Sequence, residues 1–162
     1  LPVTLPRSYG VRFACRRVSG TDVNVHLPLG DTSVVLTLGG SSSRFSGLHL
    51  VEGRDITDAL NPTRIPRTDA TFVGNAPLAV EIQVNVAGVE SQSTKERKQT
   101  EGRDWATLKV LIGAARKAPV VRSVSLATAA FAPPKDMDIS STALGLSTHA
   151  EAVYSNLQLI RH

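Results

Sequence analysis

From Leu78 to Val86 the chain reads LAVEIQVNV, and Leu78, Val80, Ile82, Val84 and Val86 alternate without a break against Ala79, Glu81, Gln83 and Asn85. Successive side chains of a strand point to opposite faces, so this spacing puts five aliphatic groups on one face and a mostly polar set on the other. Asn75-Ala76-Pro77 opens the segment and Ala87-Gly88 closes it. The segment reads as a central strand with one face in a core. Its other face, with Glu81, Gln83 and Asn85, meets solvent or a partner subunit.

The rest of the chain repeats this theme. Leu1 to Pro6 is proline-rich and reads as part of an extended arm, residues 1–7. Ser8 to Val18 is a strand with Val11, Phe13 and Cys15 on one face and Arg12, Ala14 and Arg16 on the other. Ser19-Gly20-Thr21 has the length of a hairpin turn, and Asp22 to Leu29 follows as a return strand. Leu29-Gly30-Asp31 turns again into the strongly β segment Thr32 to Leu38. Gly39 to Gly47 reads as a flexible loop, Leu48 to Val51 as a short strand, Asp55 to Leu60 as a helical turn capped by Asp55, and Asn61 to Thr68 as irregular. Ala70 to Val73 is a further short strand. Val89 to Arg103 is a polar excursion. Trp105 to Ala115 fits a helical face but also alternates, and its β neighbourhood tips it to strand. Val120 to Phe131 is a strand, Lys135 to Ala150 a connection, and Ala152 to Ile160 the last strand, with Val153, Leu157 and Leu159 on one face.

About eight strands joined by turns and long loops, without alternating helices, imply an all-β chain. The expected architecture is a two-layer antiparallel β-sandwich, a jelly roll first among its topologies, with residues 8–162 as a single domain. The length of 162 residues suffices for one real core, and aromatics at 4% require that core to be aliphatic. Cys15 is the one cysteine, so no intrachain disulfide and no cysteine-based metal site can form. No apolar run approaches the roughly 20 residues of a membrane span, and no signal-peptide pattern is present. The chain starts at Leu1 rather than Met, so a preceding segment is expected to have been processed away or to lie outside this sequence.

Site chemistry is sparse. Glu-Gly-Arg-Asp occurs at 52–55 and 101–104, each copy a glycine turn followed by a capping Asp. Gly39-Gly40-Ser41-Ser42-Ser43-Arg44 lacks the Gly-Lys-Ser/Thr of a phosphate loop. His26, His49, His149 and His162 match no metal-ligand spacing, and no serine sits in a nucleophile elbow. We therefore expect no catalytic residues, no metal, no cofactor and no enzyme. The net charge of +4 and pI of about 9.6 favour acidic partners. Arginines concentrate at Arg7, Arg12, Arg16 and Arg17 with no acid nearby in sequence, a stripe suited to phosphate backbones. Arg64 with Arg67, and Lys95, Arg97, Lys98 with Arg103, form two further clusters, the latter interleaved with Glu96 and Glu101.

An aliphatic β-sandwich with an arm, long loops, few aromatics and no site chemistry resembles, as a class, small virus coat or virion subunits. The expectation is a structural, self-assembling capsid-type protein that forms homo-oligomers and has nucleic acid as a further partner through Arg7, Arg12, Arg16 and Arg17. It would reside in the virion, or in host cytoplasm before assembly. The alternative is a β-sandwich binding module for adhesion or carbohydrate, without catalysis.

Overall fold

A computed structural model describes residues 5–66, 76–88, 104–114, 119–133 and 143–161. The described residues are nearly all antiparallel β, folded as one curled sheet of eight strands. They are β1 (Ser8–Pro28), β2 (Ser33–Gly39), β3 (Phe45–His49), β4 (Ile65–Pro66), β5 (Leu78–Ala87), β6 (Trp105–Ala114), β7 (Val120–Ala127) and β8 (Gly145–Arg161). The order across the sheet is β4-β3-β2-β1-β5-β6-β7, with β8 also paired to β1. Consecutive strands therefore form two meanders, β1 to β4 and β5 to β7.

The first strand organises both. Ser8–Cys15 pairs with β5, and Val23–Pro28 pairs with β2. β8 pairs along β1 from Tyr9 to His26. Residues such as Val11 and Val25 are bonded on both sides, so β5 and β2 share one edge of β1 while β8 takes the other. The sheet thus splits into two wings that diverge from a common strand.

The expected hairpin at Ser19-Gly20-Thr21 is not there. The chain runs straight on through a left-handed Gly20 (φ 79°). Register shifts between Arg17 and Ser19 and between Gly20 and Val23 each leave an extra residue on β1 opposite β8. A glycine at positive φ serves a bulge as well as a turn, and here β8 supplies hydrogen-bond partners on both sides of the irregularity. The Leu29-Gly30-Asp31 turn is as expected, with Leu29 N–H donating to the Thr32 carbonyl at 2.8 Å.

Alternation fixes which faces meet. Tyr9, Val11, Phe13 and Cys15 belong to the same buried cluster as Val23, Val25 and Leu27. Leu36, Leu38 and Leu48 join from one wing, and Leu78 to Val86 and Ala106 to Ile112 from the other. The core is aliphatic, as the composition required. β5 has the expected faces and lies between β1 and β6. Trp105–Ala114 is a strand rather than a helix, in unbroken register with both β5 and β7.

Several local expectations differ: β3 is Phe45–His49 rather than Leu48–Val51, and β7 ends at Ala127, before a 3-10 turn at Thr128–Ala130, rather than at Phe131. Residues 39–47 are not a flexible loop: Gly39, Ser41, Ser42 and Ser43 all have positive φ and make one tight left-handed turn into β3. Left-handed serines are strained, and the turn is held by Arg44 Nε on the Ser41 carbonyl (3.0 Å) and by the Arg17 guanidinium on Ser43 Oγ. Gly47 is required, because a Cβ there would lie 2.7 Å from the Thr63 carbonyl oxygen. Asp55 caps no helix; its Oδ1 accepts from Thr57 N–H and Oγ1 (both 2.6 Å) in a local turn. The segment expected to be irregular is so over residues 61–64, where buried Asn61 and Thr63 bond to Leu48, and it then enters β4 at Ile65–Pro66. Finally, β8 begins at Gly145, inside the expected connection. The short strand expected at 70–73 and the excursion at 89–103 lie outside the described residues.

Ile82 is fully buried at the middle of β5. Ile82→Ala should lower the unfolding free energy by about 2–5 kcal/mol, read by urea denaturation. Ile82→Asp should abolish cooperative unfolding, because it buries an unpaired charge.

Candidate functional site

The wing β8-β1-β5-β6-β7 presents an open face opposite the core. Register sets the side chains in rows across it. One row is Gln158, Arg12, Glu81, Leu111 and Val121, and the next is Ile160, Gly10, Gln83, Lys109 and Ser123. Arg12 donates through Nε (3.1 Å) and Nη2 (2.9 Å) to one oxygen of Glu81, and Gln83 Nε2 donates to the other at 3.0 Å. Ser8 Oγ donates to Asn85 (2.8 Å), and Thr107 and Ser125 share a bond of 2.9 Å. A shallow depression of about 370 Å³ lies among Ser8, Gln83, Asn85, Thr107, Lys109 and Ser123. These donors around Glu81, Arg12 first and Gln83 second, hold its carboxyl below the usual range.

The four arginines of the expected stripe have separate fates. Arg7 forms an ion pair with Asp104 at 2.9 Å, and its carbonyl accepts from Val86 N–H. Arg12 pairs with Glu81 at 2.9 Å. Both acids are distant in sequence and close in space. Arg16 lies on the open face in register with Val153, and no described acid forms a salt bridge with it. Arg17, the next residue along the strand, falls on the opposite side by simple alternation, in register with Ala152, which packs on the core. Its guanidinium donates to the Thr21 carbonyl (2.7 Å) and to Ser43. So Arg12 and Arg16 share a face, Arg7 sits at its rim, and Arg17 is spent on the left-handed turn. Of the other basic clusters, Arg64 stacks 4.2 Å over the Phe45 ring. Arg67 and the residues 95–103 lie outside the described residues.

The second wing carries polar groups that the sequence reading did not combine. Asp22, Asn24 and His26 lie on the face of β1 turned away from the core, with Asn24 itself buried there and Asp22 and His26 half-buried. Asn24 donates to Asp22 (2.9 Å) and accepts from Thr37 (2.8 Å). With His49, Asp55 and Thr57, the residues Asp22, Asn24 and Thr37 line a hollow of about 200 Å³. His26 Nε2 lies 2.6 Å from Ser147 Oγ, and burial lowers the imidazole pKa, so the ring is neutral near pH 7. Gly145 packs against the other side of that ring, where a Cβ would come within 3.3 Å. This serine–histidine contact has no orienting carboxylate among the described hydrogen bonds. The outward run 22, 24, 26 was visible as alternation, but Ser147 is 121 residues away. Among the described residues no group of His, Cys, Asp and Glu could hold a metal ion, and no helix is long and apolar enough to cross a membrane. Burial pushes the Cys15 thiol up to about 12, which leaves it un-ionised and unreactive at neutral pH.

The third feature is β8. Its pairing partner among the described strands is β1 alone. Leu146, Val153, Leu157 and Leu159 on it are 36, 46, 53 and 38% exposed. They do not share the one face expected of Val153, Leu157 and Leu159. Three residues of β8 span two of β1 between Ser155 and Gln158, at a left-handed Asn156 (φ 55°). This bulge leaves Val153 opposite Arg16 on the open face and Leu159 opposite Val11 on the core side.

No family model, no curated protein and no solved structure matches this chain.

Because the folded Glu81 carboxyl has a lowered pKa, its ion pair stabilises above the ordinary glutamate range and loses that effect as pH falls through the lowered value. Glu81→Gln should therefore be less stable than the parent at pH 7 by at most about 1 kcal/mol, the surface-pair range. The difference should close on acidification, as read by denaturant midpoints across pH.

Proposed function

We propose that this protein is a structural, self-assembling subunit of the virus-coat or virion class. The observation that carries the reading is β8: a strand of 17 residues with one edge unpaired among the described strands, exposed leucines and valine along it, and no lysine or proline in it. Monomeric proteins blunt or cover such an edge, because its free N–H and C=O groups template pairing with another chain. Homo-oligomeric assembly covers it. The two wings facing one core support the two-layer sandwich expected for such a subunit. The meander connections favour a rolled sheet over the paired Greek keys of a jelly roll.

Nucleic acid is proposed as the polyanionic partner, and virion or host cytoplasm as the location. The support is the positive excess left on the open face by Arg16 and Lys109 against the carboxylate of Glu151, which neither Arg12 nor Arg7 holds, with Arg12 and Arg7 held in ion pairs that a phosphate backbone can compete for. On this reading Arg17 contributes by shaping the turn at Ser41–Ser43. Binding of a fluorescent single-stranded oligonucleotide, followed by anisotropy across salt, tests it. Glu81→Gln with Asp104→Asn should tighten binding, and Arg16→Ala should weaken it and flatten the salt slope by about 0.7. Equal affinity for all these variants removes the arginine face from the proposal.

Assembly itself is read by size-exclusion chromatography with light scattering at varied salt. A particle many times the 17.2 kDa chain supports the reading. A monomer at every salt concentration overturns it. A second reading, a binding module, is favoured by the hollow among Asp22, Asn24, Thr37, His49 and Asp55. A monomer that binds a carbohydrate there, and loses binding with Asp22→Ala, is the result that reading requires.

A further inference from the structure

We propose that β8 pairs antiparallel with β8 of a second copy of this chain, about a two-fold axis at Val153, so that the curled sheet continues across both copies. This rests on the self-assembly reading and names the contact that makes it. An antiparallel edge is self-complementary: rotated by two-fold symmetry, its N–H and C=O groups meet their own counterparts.

Charge and backbone geometry choose the register. β8 carries no inserted residue from Gly145 to Ser155; the extra residues in that span lie on β1. Glu151, Val153 and Ser155 share the open face and are all exposed. An axis at Glu151 sets two carboxylates directly opposite each other, which is destabilising. An axis at Ala152 puts Glu151 against the partner copy's valine at 153. An axis at Tyr154 or Ser155 brings the left-handed Asn156 next to the centre of the ladder. The axis at Val153 keeps 151–155 regular, lays valine on valine, and faces each Glu151 with a serine hydroxyl.

Tyr154 and Ala152 then continue the core side. Tyr154 lies opposite Cys15, with its ring 6.0 Å from that of Phe13, and its hydroxyl is buried without a described hydrogen-bond partner. Ala152 of the second copy falls opposite it, so the apolar layer extends over the join.

Cysteine cross-linking of the full chain tests the register, since Cys15 is buried and silent. Val153→Cys, Glu151→Cys and Ser155→Cys are each oxidised mildly and run on non-reducing gels, with light scattering of the same samples. Cross-strand neighbours lie within disulfide reach. The expected result is a covalent dimer with Val153→Cys alone, little with either other variant alone, and a heterodimer when Glu151→Cys and Ser155→Cys are mixed. Equal yields at all three positions overturn the antiparallel register. An oligomer by light scattering with no cross-link at any of them overturns the β8 contact and leaves assembly to another surface. A monomer by light scattering overturns both.

Discussion

The constraint on which the rest depends is that one strand supplies hydrogen bonds to three others. β1 is long enough to hold β5 on its first half and β2 on its second, with β8 along the opposite edge. Both wings inherit their orientation from it, and so does the shared core. The bulges at Arg17–Ser19 and Gly20–Val23 let the wings diverge without breaking the strand, because extra residues increase local twist and bend. Ahead of these bulges the strand alternates regularly: Arg12 and Arg16 stay on the open face, and Arg17 turns to the core side, where it steadies the left-handed serines.

That open face shows how pairing neutralises charge. Arg12 and Glu81 sit opposite each other because β1 and β5 pair in that register, and Gln83 completes the set. The result is a flat, hydrogen-bonded surface with a modest positive excess rather than a bare arginine stripe. A surface of this kind suits weak, salt-sensitive contact repeated over many copies better than tight binding by one.

What the sequence made legible follows from locality. The alternation in Leu78–Val86 needs no partner to be read, and the structure buries the residues it marked. Trp105–Ala114 was ambiguous because both helical and strand periods fit, and pairing on both sides settled it. Ser19-Gly20-Thr21 misled because a left-handed glycine serves a hairpin and a bulge alike; only β8, far along the sequence, distinguishes them. Residues 39–47 looked loose from their glycines and serines, yet the Arg17 guanidinium and the space under Ile56 and Thr37 fix them. Arg12 seemed free of acids because Glu81 is 69 residues away. The candidate site was legible as residue types and illegible as pairs.

The pairing of β1 with β8 also orders events during synthesis. Tyr9 to His26 leave the ribosome before the strand that completes their second edge, which is made only when residues 145–161 emerge. Until then one side of the longest strand stays unsatisfied beside a forming apolar face. Contacts of such long sequence separation close slowly, because the chain entropy is lost before the hydrogen bonds are gained. The nascent chain is therefore at its most adhesive just before residues 145–161 emerge, and many copies being made side by side would meet one another in that state.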